Sequence, residues 1–220
     1  MLKVGHRGAR GEAPENTLEG FALAIKEGAN AIEFDVRETQ DRRLIVIHDE
    51  KLDRTTKMKG LVKSFTLGEI KKACRDVPTL EEALDFLKNK KLEKILVEIK
   101  EPGTEERVLR EIKKRKMENR VMVISFYEKA IWRAKKLSKV ETGFIFVGNA
   151  KKNMEIAKKV GAGYVLPLHK FTHSGDVKRA HERGLKVIVW TVNKRGEAEE
   201  YKKKGVDGIA SDFPKILVGL

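Results

Sequence analysis

The feature that most constrains this chain is a repeated alternation. Eight short runs of β-branched and apolar residues alternate with amphipathic stretches of helical spacing. Strands are predicted at 2–6, 31–37, 95–100, 121–126, 141–147, 164–168, 186–192 and 208–211. Helices are predicted between them, at 17–27, 80–88, 105–116, 128–137, 154–160, 177–183 and 197–203. Gly28, Gly161, Gly184 and Gly205 each stand where a helix hands over to a strand, the usual place for a helix-stop glycine. Strands that alternate with helices build a parallel sheet, and eight such units close a barrel. The 220 residues leave room for a compact barrel of that kind in one domain spanning 1–220. The predicted class is therefore α/β, a (β/α)₈ TIM barrel; an open doubly wound sheet is the alternative.

One segment departs from the rhythm. Leu44-Ile45-Val46-Ile47-His48 reads as a ninth strand, too close to 31–37 for a helical crossover. The two must form an antiparallel hairpin. A pivot between Asp41 and Arg42 sets Asp35 opposite His48, and a slip of one residue turns His48 to the other face. Residues 49–77 then have no barrel role. They are expected as a small insertion above the barrel, between strand 2 and helix 2, with a short helical piece around 67–73. Thr79 and Glu82 form a capping-box pattern that opens the next helix.

Composition limits the partners. The net charge is +14, yet the lysines fall in helical stretches interleaved with glutamates, and no RNA-type aromatic motif or zinc spacing accompanies them. This argues for a local phosphate site rather than nucleic acid. Cys74 is the only cysteine, so neither an intrachain disulfide nor a cysteine metal cluster is expected. No apolar run approaches the length of a membrane span, and no signal peptide precedes the first strand, so a cytoplasmic location is expected. A single glutamine, Gln40, among abundant Lys and Glu resembles a thermophile surface.

The chemistry concentrates at strand ends. In Ile32-Glu33-Phe34-Asp35-Val36-Arg37 the acids share one face and the apolar residues the other. Helices cover the outside of a barrel, so Glu33 and Asp35 point inward; Glu98 and Lys100 repeat the pattern. Three converging carboxylates repel one another and resist burial. A hard divalent cation, Mg²⁺, Ca²⁺ or Mn²⁺, resolves this with all-oxygen ligation. An ion-pair network with Arg7, Arg37 and Lys100 is the competing account, and the position at the C-terminal strand ends favours metal. His6 and His48 should face the same cavity and suit acid–base work near neutral pH. His169, His173 and His181 fall on a later loop and helix, as surface or supporting residues, with His169 a candidate for the rim. Gly5-His6-Arg7-Gly8-Ala9-Arg10-Gly11 has the wrong spacing for a dinucleotide site. There Gly8 is expected to turn the backbone while Arg7 reaches a phosphate.

Taken in order, the motifs are these: Gly5-His6-Arg7-Gly8, Pro14-Glu15-Asn16-Thr17, Glu33-Phe34-Asp35-Val36, Val46-Ile47-His48-Asp49, Leu52-Asp53-Arg54-Thr55-Thr56, Pro78-Thr79-Leu80-Glu81-Glu82, Val97-Glu98-Ile99-Lys100, Trp190-Thr191-Val192-Asn193 and Gly208-Ile209-Ala210-Ser211-Asp212-Phe213-Pro214. End to end, the chain resembles the glycerophosphodiester phosphodiesterase family. The resemblance implies that His6 and His48 act as acid and base, that Glu33, Asp35 and Glu98 bind one divalent metal, and that Arg7 and Lys100 hold the phosphate. It also implies an insertion matching roughly 49–77. The substrate is then a small glycerophosphodiester, split into glycerol phosphate and an alcohol. Phe126, Trp190 and Phe213 stand at strand ends, either as an apolar wall beside the glycerol or as ordinary rim packing. Lysophospholipase D activity, or a non-catalytic basic binding protein, are the rival readings.

Overall fold

The computed structural model describes residues 1–220. Along the chain run β1 (Leu2–Gly5), α1 (Leu18–Lys26), β2 (Ala31–Glu38), β3 (Leu44–Val46), α2 (Leu67–Ala73), α3 (Leu80–Lys88) and β4 (Lys94–Ile99). There follow α4 (Glu105–Lys114), β5 (Val121–Ser125), α5 (Glu128–Leu137), β6 (Glu141–Phe146), α6 (Ala150–Val160) and β7 (Tyr164–Pro167). The chain ends with α7 (Ser174–Glu182), β8 (Lys186–Val189), α8 (Arg195–Lys203) and β9 (Gly208–Ser211). All strands but β3 are parallel, and they close into an eight-stranded barrel. The seam is made twice by β1, which pairs Val4 with Ala31 of β2 and Leu2 with Gly208 of β9. The barrel thus stands in place of the open sheet.

Side-chain alternation sorts the apolar residues into two layers. Inward residues such as Val4, Leu96, Met122, Ile124, Leu166 and Ile188 fill the barrel. Outward residues such as Phe34, Val36, Val97 and Ile99 meet Leu80, Leu84, Val108 and Ile112 of the helices. Phe34 is fully buried, so truncating it to Ala should cost about 3–5 kcal/mol.

The hairpin register differs from expectation by one residue. Val36 pairs with Val46 and Arg37 with Ile45, so Asp35 lies beside Ile47 and not His48. The turn is wider than a two-residue pivot: Thr39 N–H donates to the Arg43 carbonyl at 2.9 Å, and Arg42 takes a left-handed φ of 60°. His48 nevertheless reaches the cavity, because β3 ends at Val46 and strand alternation no longer governs it. Arg37 holds it there, with Nε donating to the His48 carbonyl at 2.7 Å.

Residues 49–77 pack a small core of their own, Leu52, Val62 and Ile70, against Ile45 and Ile47. Thr66 and Glu69 cap α2 reciprocally. The segment supplies no side chain to the lining of the barrel cavity. It borders instead an outer groove of about 860 Å³ against the β1–α1 loop.

Candidate active site

A cavity of about 140 Å³ opens at the C-terminal end of the barrel. One side is polar, lined by His6, Arg7, Glu33, His48, Glu98 and Lys100. The other is apolar, lined by Ile124, Phe126, Ile145, Leu166, Trp190 and Ala210. Trp190 donates through Nε1 to the Leu166 carbonyl at 2.7 Å, and Phe126 meets its ring edge-on with centroids 5.6 Å apart. Phe213, the third predicted wall residue, lies over Gly11 and does not line this cavity.

Glu33, Asp35 and Glu98 converge as the strand pattern required. Asp35 and Glu98 are register partners, and ligand oxygens of all three acids lie within 4.8 Å of one another. Arg7 Nε is 3.3 Å from Asp35, while Lys100 Nζ is 2.6 Å from Glu98 and 3.5 Å from Asp35. Two cations therefore face three buried acids. Burial, then repulsion from Asp35 and Glu98, pushes the Glu33 carboxyl well up. Burial and Asp35 lift Glu98 to about 7. Asp35 alone is lowered: burial opposes its charge, but Lys100 and Arg7 outweigh it.

Glu33 Oε1 and Asp35 Oδ1 are buried without a hydrogen-bond partner. Unpartnered buried acceptors are costly, and orphan oxygens aimed at one point are what a hard cation satisfies. The donor set fits Mg²⁺, Ca²⁺ or Mn²⁺, which Glu33, Asp35 and Glu98 would hold.

Both histidines are backed by carboxylates. His6 Nδ1 lies 2.7 Å from Asp212 Oδ1, and His48 Nδ1 lies 2.6 Å from Asp49 Oδ1. A carboxylate accepts, so each Nδ1 carries the hydrogen and each Nε2 is left for the cavity. Burial lowers the His48 pKa, against the pull of Asp35 and Asp49. Asp212 is held by Asn193 Nδ2 at 2.8 Å, and Asp49 by Arg54 Nε at 2.7 Å.

The β1–α1 loop joins these parts. Arg7 adopts φ 53° and Asn16 φ 58°, unusual for residues with a side chain. In return Arg7 N–H donates to Glu33 Oε2 at 2.9 Å, and Asn16 Nδ2 donates to Asp35 Oδ2 at 2.9 Å. A Cβ on Gly8, at φ 82°, would sit 2.6 Å from the Gly20 carbonyl carbon, so this turn requires glycine. Glu15 accepts from Arg7, Arg10 and Arg54. Burial would raise its carboxyl, but Arg54 and Arg7 bring it down to about 2.

Sequence reasoning gave Glu15, Asn16, Asp49, Arg54, Asn193 and Asp212 no individual roles, although each lies in a motif quoted for the family resemblance. The remaining histidines lie elsewhere: His169 is buried against Tyr201, His173 caps α7, and His181 faces Asp207. Ser125 is fully buried and donates to the Ile99 carbonyl, a structural role.

A sequence profile of the glycerophosphoryl diester phosphodiesterase family matches residues 6–216. A glycerophosphodiester phosphodiesterase of Caldanaerobacter subterraneus is 34% identical, over 100% of this chain and 97% of its own. The crystal structure of a glycerophosphodiester phosphodiesterase from Agrobacterium tumefaciens superposes with a TM-score of 0.88 at 27% identity, covering 100% of both chains. A phosphodiesterase from Oleispira antarctica, solved with the product sn-glycerol-3-phosphate, superposes with a TM-score of 0.86 at 26% identity, over 96% of this chain and 93% of its own.

Proposed function

The chain belongs to the glycerophosphoryl diester phosphodiesterase family, and on that footing we propose that it hydrolyses a glycerophosphodiester to glycerol phosphate and an alcohol. The observation that carries this reading is the carboxylate trio with two carboxylate-backed histidines and two cations around one cavity. Glu33, Asp35 and Glu98 hold one divalent ion, Mg²⁺ or Ca²⁺, with Mn²⁺ as a further choice. When bound, that ion supplies positive charge at a phosphate oxygen and acidifies a hydroxyl or water.

Arg7 and Lys100 lie beside the trio, where they neutralise the phosphate and the charge that builds on its oxygens. One histidine takes the proton of the nucleophile at Nε2. The bond from phosphorus to the alcohol oxygen breaks, and the second histidine protonates the departing oxygen. Asp49 and Asp212 keep both rings in the tautomer this needs. Phe126 and Trp190 flank the glycerol and exclude water on the apolar side. The nucleophile is the glycerol hydroxyl next to the phosphoester, since tethering gives it a high effective concentration. Its attack leaves a cyclic glycerol phosphate, which water then opens to glycerol phosphate as the two histidines exchange roles. An analogue with hydrogen in place of that hydroxyl should bind without turnover; turnover near the natural rate would assign the attack to water.

A second reading, lysophospholipase D, draws on the apolar side of the cavity, lined by Ile124, Phe126, Ile145, Leu166 and Trp190. The insertion does not favour it, because its groove is lined mainly by charged and polar residues such as Glu15, Arg54, Lys57, Lys71 and Arg75. The test is incubation with glycerophosphocholine and with lysophosphatidylcholine, in chelator and with each metal, with both products identified. Release of glycerol phosphate and choline from the first substrate is expected. No release under any metal would refute the reading.

A further inference from the structure

We propose that the rim formed by the loops after β5, β6 and β7 docks the enzyme on an anionic lipid surface. Four of the largest exposed apolar residues lie on these neighbouring loops: Phe126 (39% exposed), Tyr127 (49%), Val147 (53%) and Phe171 (53%). Large apolar side chains that protrude together on adjacent loops mark a contact surface, whereas scattered single ones do not. Phe126 also lines the cavity, so one of the exposed apolar residues of the rim reaches into the site.

The charge on these loops is predominantly positive. Lys129, Lys151, Lys152 and Lys170 are all exposed, and no carboxylate lies within ion-pairing distance of any of them. Glu128 is the only acid in 126–129, 147–152 and 168–173. Helix α6 has no acid in its first turn and carries Lys151 and Lys152 there, where the helix dipole disfavours cations. A fold that bears this cost gains from it when an anion lies opposite. Aromatic and aliphatic groups interspersed with lysines match the acyl boundary and the headgroups of an anionic bilayer. No side chain of the insertion lines the cavity, and Phe126 of the rim lies beneath Lys100 Nζ, which is 5.7 Å from its ring centroid, so the proposed contact surface borders the mouth of the site.

The test is co-sedimentation of the full chain with vesicles of phosphatidylcholine alone and of phosphatidylcholine mixed with phosphatidylglycerol. Binding is read without turnover, so its outcome is separate from that of the hydrolysis proposed above. Binding to the anionic vesicles alone is expected, weakening as salt rises. Phe171→Ser should lower partitioning at least about tenfold. Lys151→Gln with Lys152→Gln should lower it roughly tenfold or more. Both variants should keep the wild-type melting temperature, which shows that they fold. Failure of wild type to bind anionic vesicles, or variants that bind as well as wild type, would overturn the proposal. So would a wild-type dimer, seen by sedimentation, that Phe171→Ser splits, because a second copy would then cover the rim.

Discussion

Replacing Glu98 by Gln separates a metal site from an ion-pair network by the sign of its effect. Folding holds the Glu98 carboxyl at about 7, against an ordinary 4.5, because it is buried beside Asp35. A raised carboxyl favours the protonated form in the folded state. The penalty is therefore absent below about pH 4.5, grows as pH rises, and is complete above about 7. Its full size is about 3 kcal/mol. In chelator at pH 8, Glu98→Gln should remove that penalty while its amide oxygen still accepts from Lys100. The variant should be more stable than wild type by up to about 3 kcal/mol, or roughly 6–12 °C in Tm. At pH 5 the two should converge. Mg²⁺ or Ca²⁺ at about one thousand times its Kd should reverse the order, since binding then stabilises wild type by about 4.1 kcal/mol. An ion-pair network makes the opposite forecast: losing Glu98, the nearer of the two carboxylates at Lys100, breaks a buried pair and costs about 3–5 kcal/mol. Thermal unfolding of both proteins in chelator decides the matter. A less stable Glu98→Gln at pH 8 would refute the reasoning.

Further expectations concern the parts around the trio. His6→Ala and His48→Ala should each lower kcat about 10²–10⁴-fold on glycerophosphocholine. A nitrophenyl ester, whose leaving group needs no proton, should rescue one far more than the other; equal losses on both substrates would remove the division of roles. Asp49→Asn and Asp212→Asn should each lower kcat roughly 10–10³-fold and shift its pH profile, with KM little changed, because the ring tautomer is then no longer enforced. An unchanged profile would make these acids merely structural. Ser substitutions at Lys57 and Met58 should scale all head groups alike, since neither residue lines the cavity; altered head-group ratios would bring the insertion back over the mouth.

Much of this architecture was legible in the sequence because it follows from periodicity. The eight parallel strands and their helices appear where the alternation places them, and α3, α5 and β9 match their predicted bounds residue for residue. Most other strands stop one to three residues early, at the points where the chain leaves the barrel to form the site. Helix α6 starts at Ala150, four residues before the apolar pattern begins, because Asn149 at φ 40° accepts from Lys152 N–H and opens it. The hairpin register was out of reach of the same reasoning. It depends on the left-handed Arg42 and the Thr39–Arg43 closure, and neither leaves a mark in hydrophobicity. The inward acids were readable because a strand has only two faces. Their supporting residues were not: Asp212 meets His6 across 206 residues, and Arg54 meets Glu15 across 39. Such pairs carry no periodic signal. The hint that existed was positional, since Asp49 adjoins His48 and Asp212 follows the last barrel strand directly.

The most direct test of the central claim is a paired titration of metal-stripped enzyme with Mg²⁺ or Ca²⁺, following heat of binding and glycerophosphocholine turnover in the same samples. One ion per chain should bind, activity should rise in step with occupancy, and both should fail together in Glu33→Gln, Asp35→Asn and Glu98→Gln. Full turnover in chelator, or unaltered binding in those three variants, would contradict it.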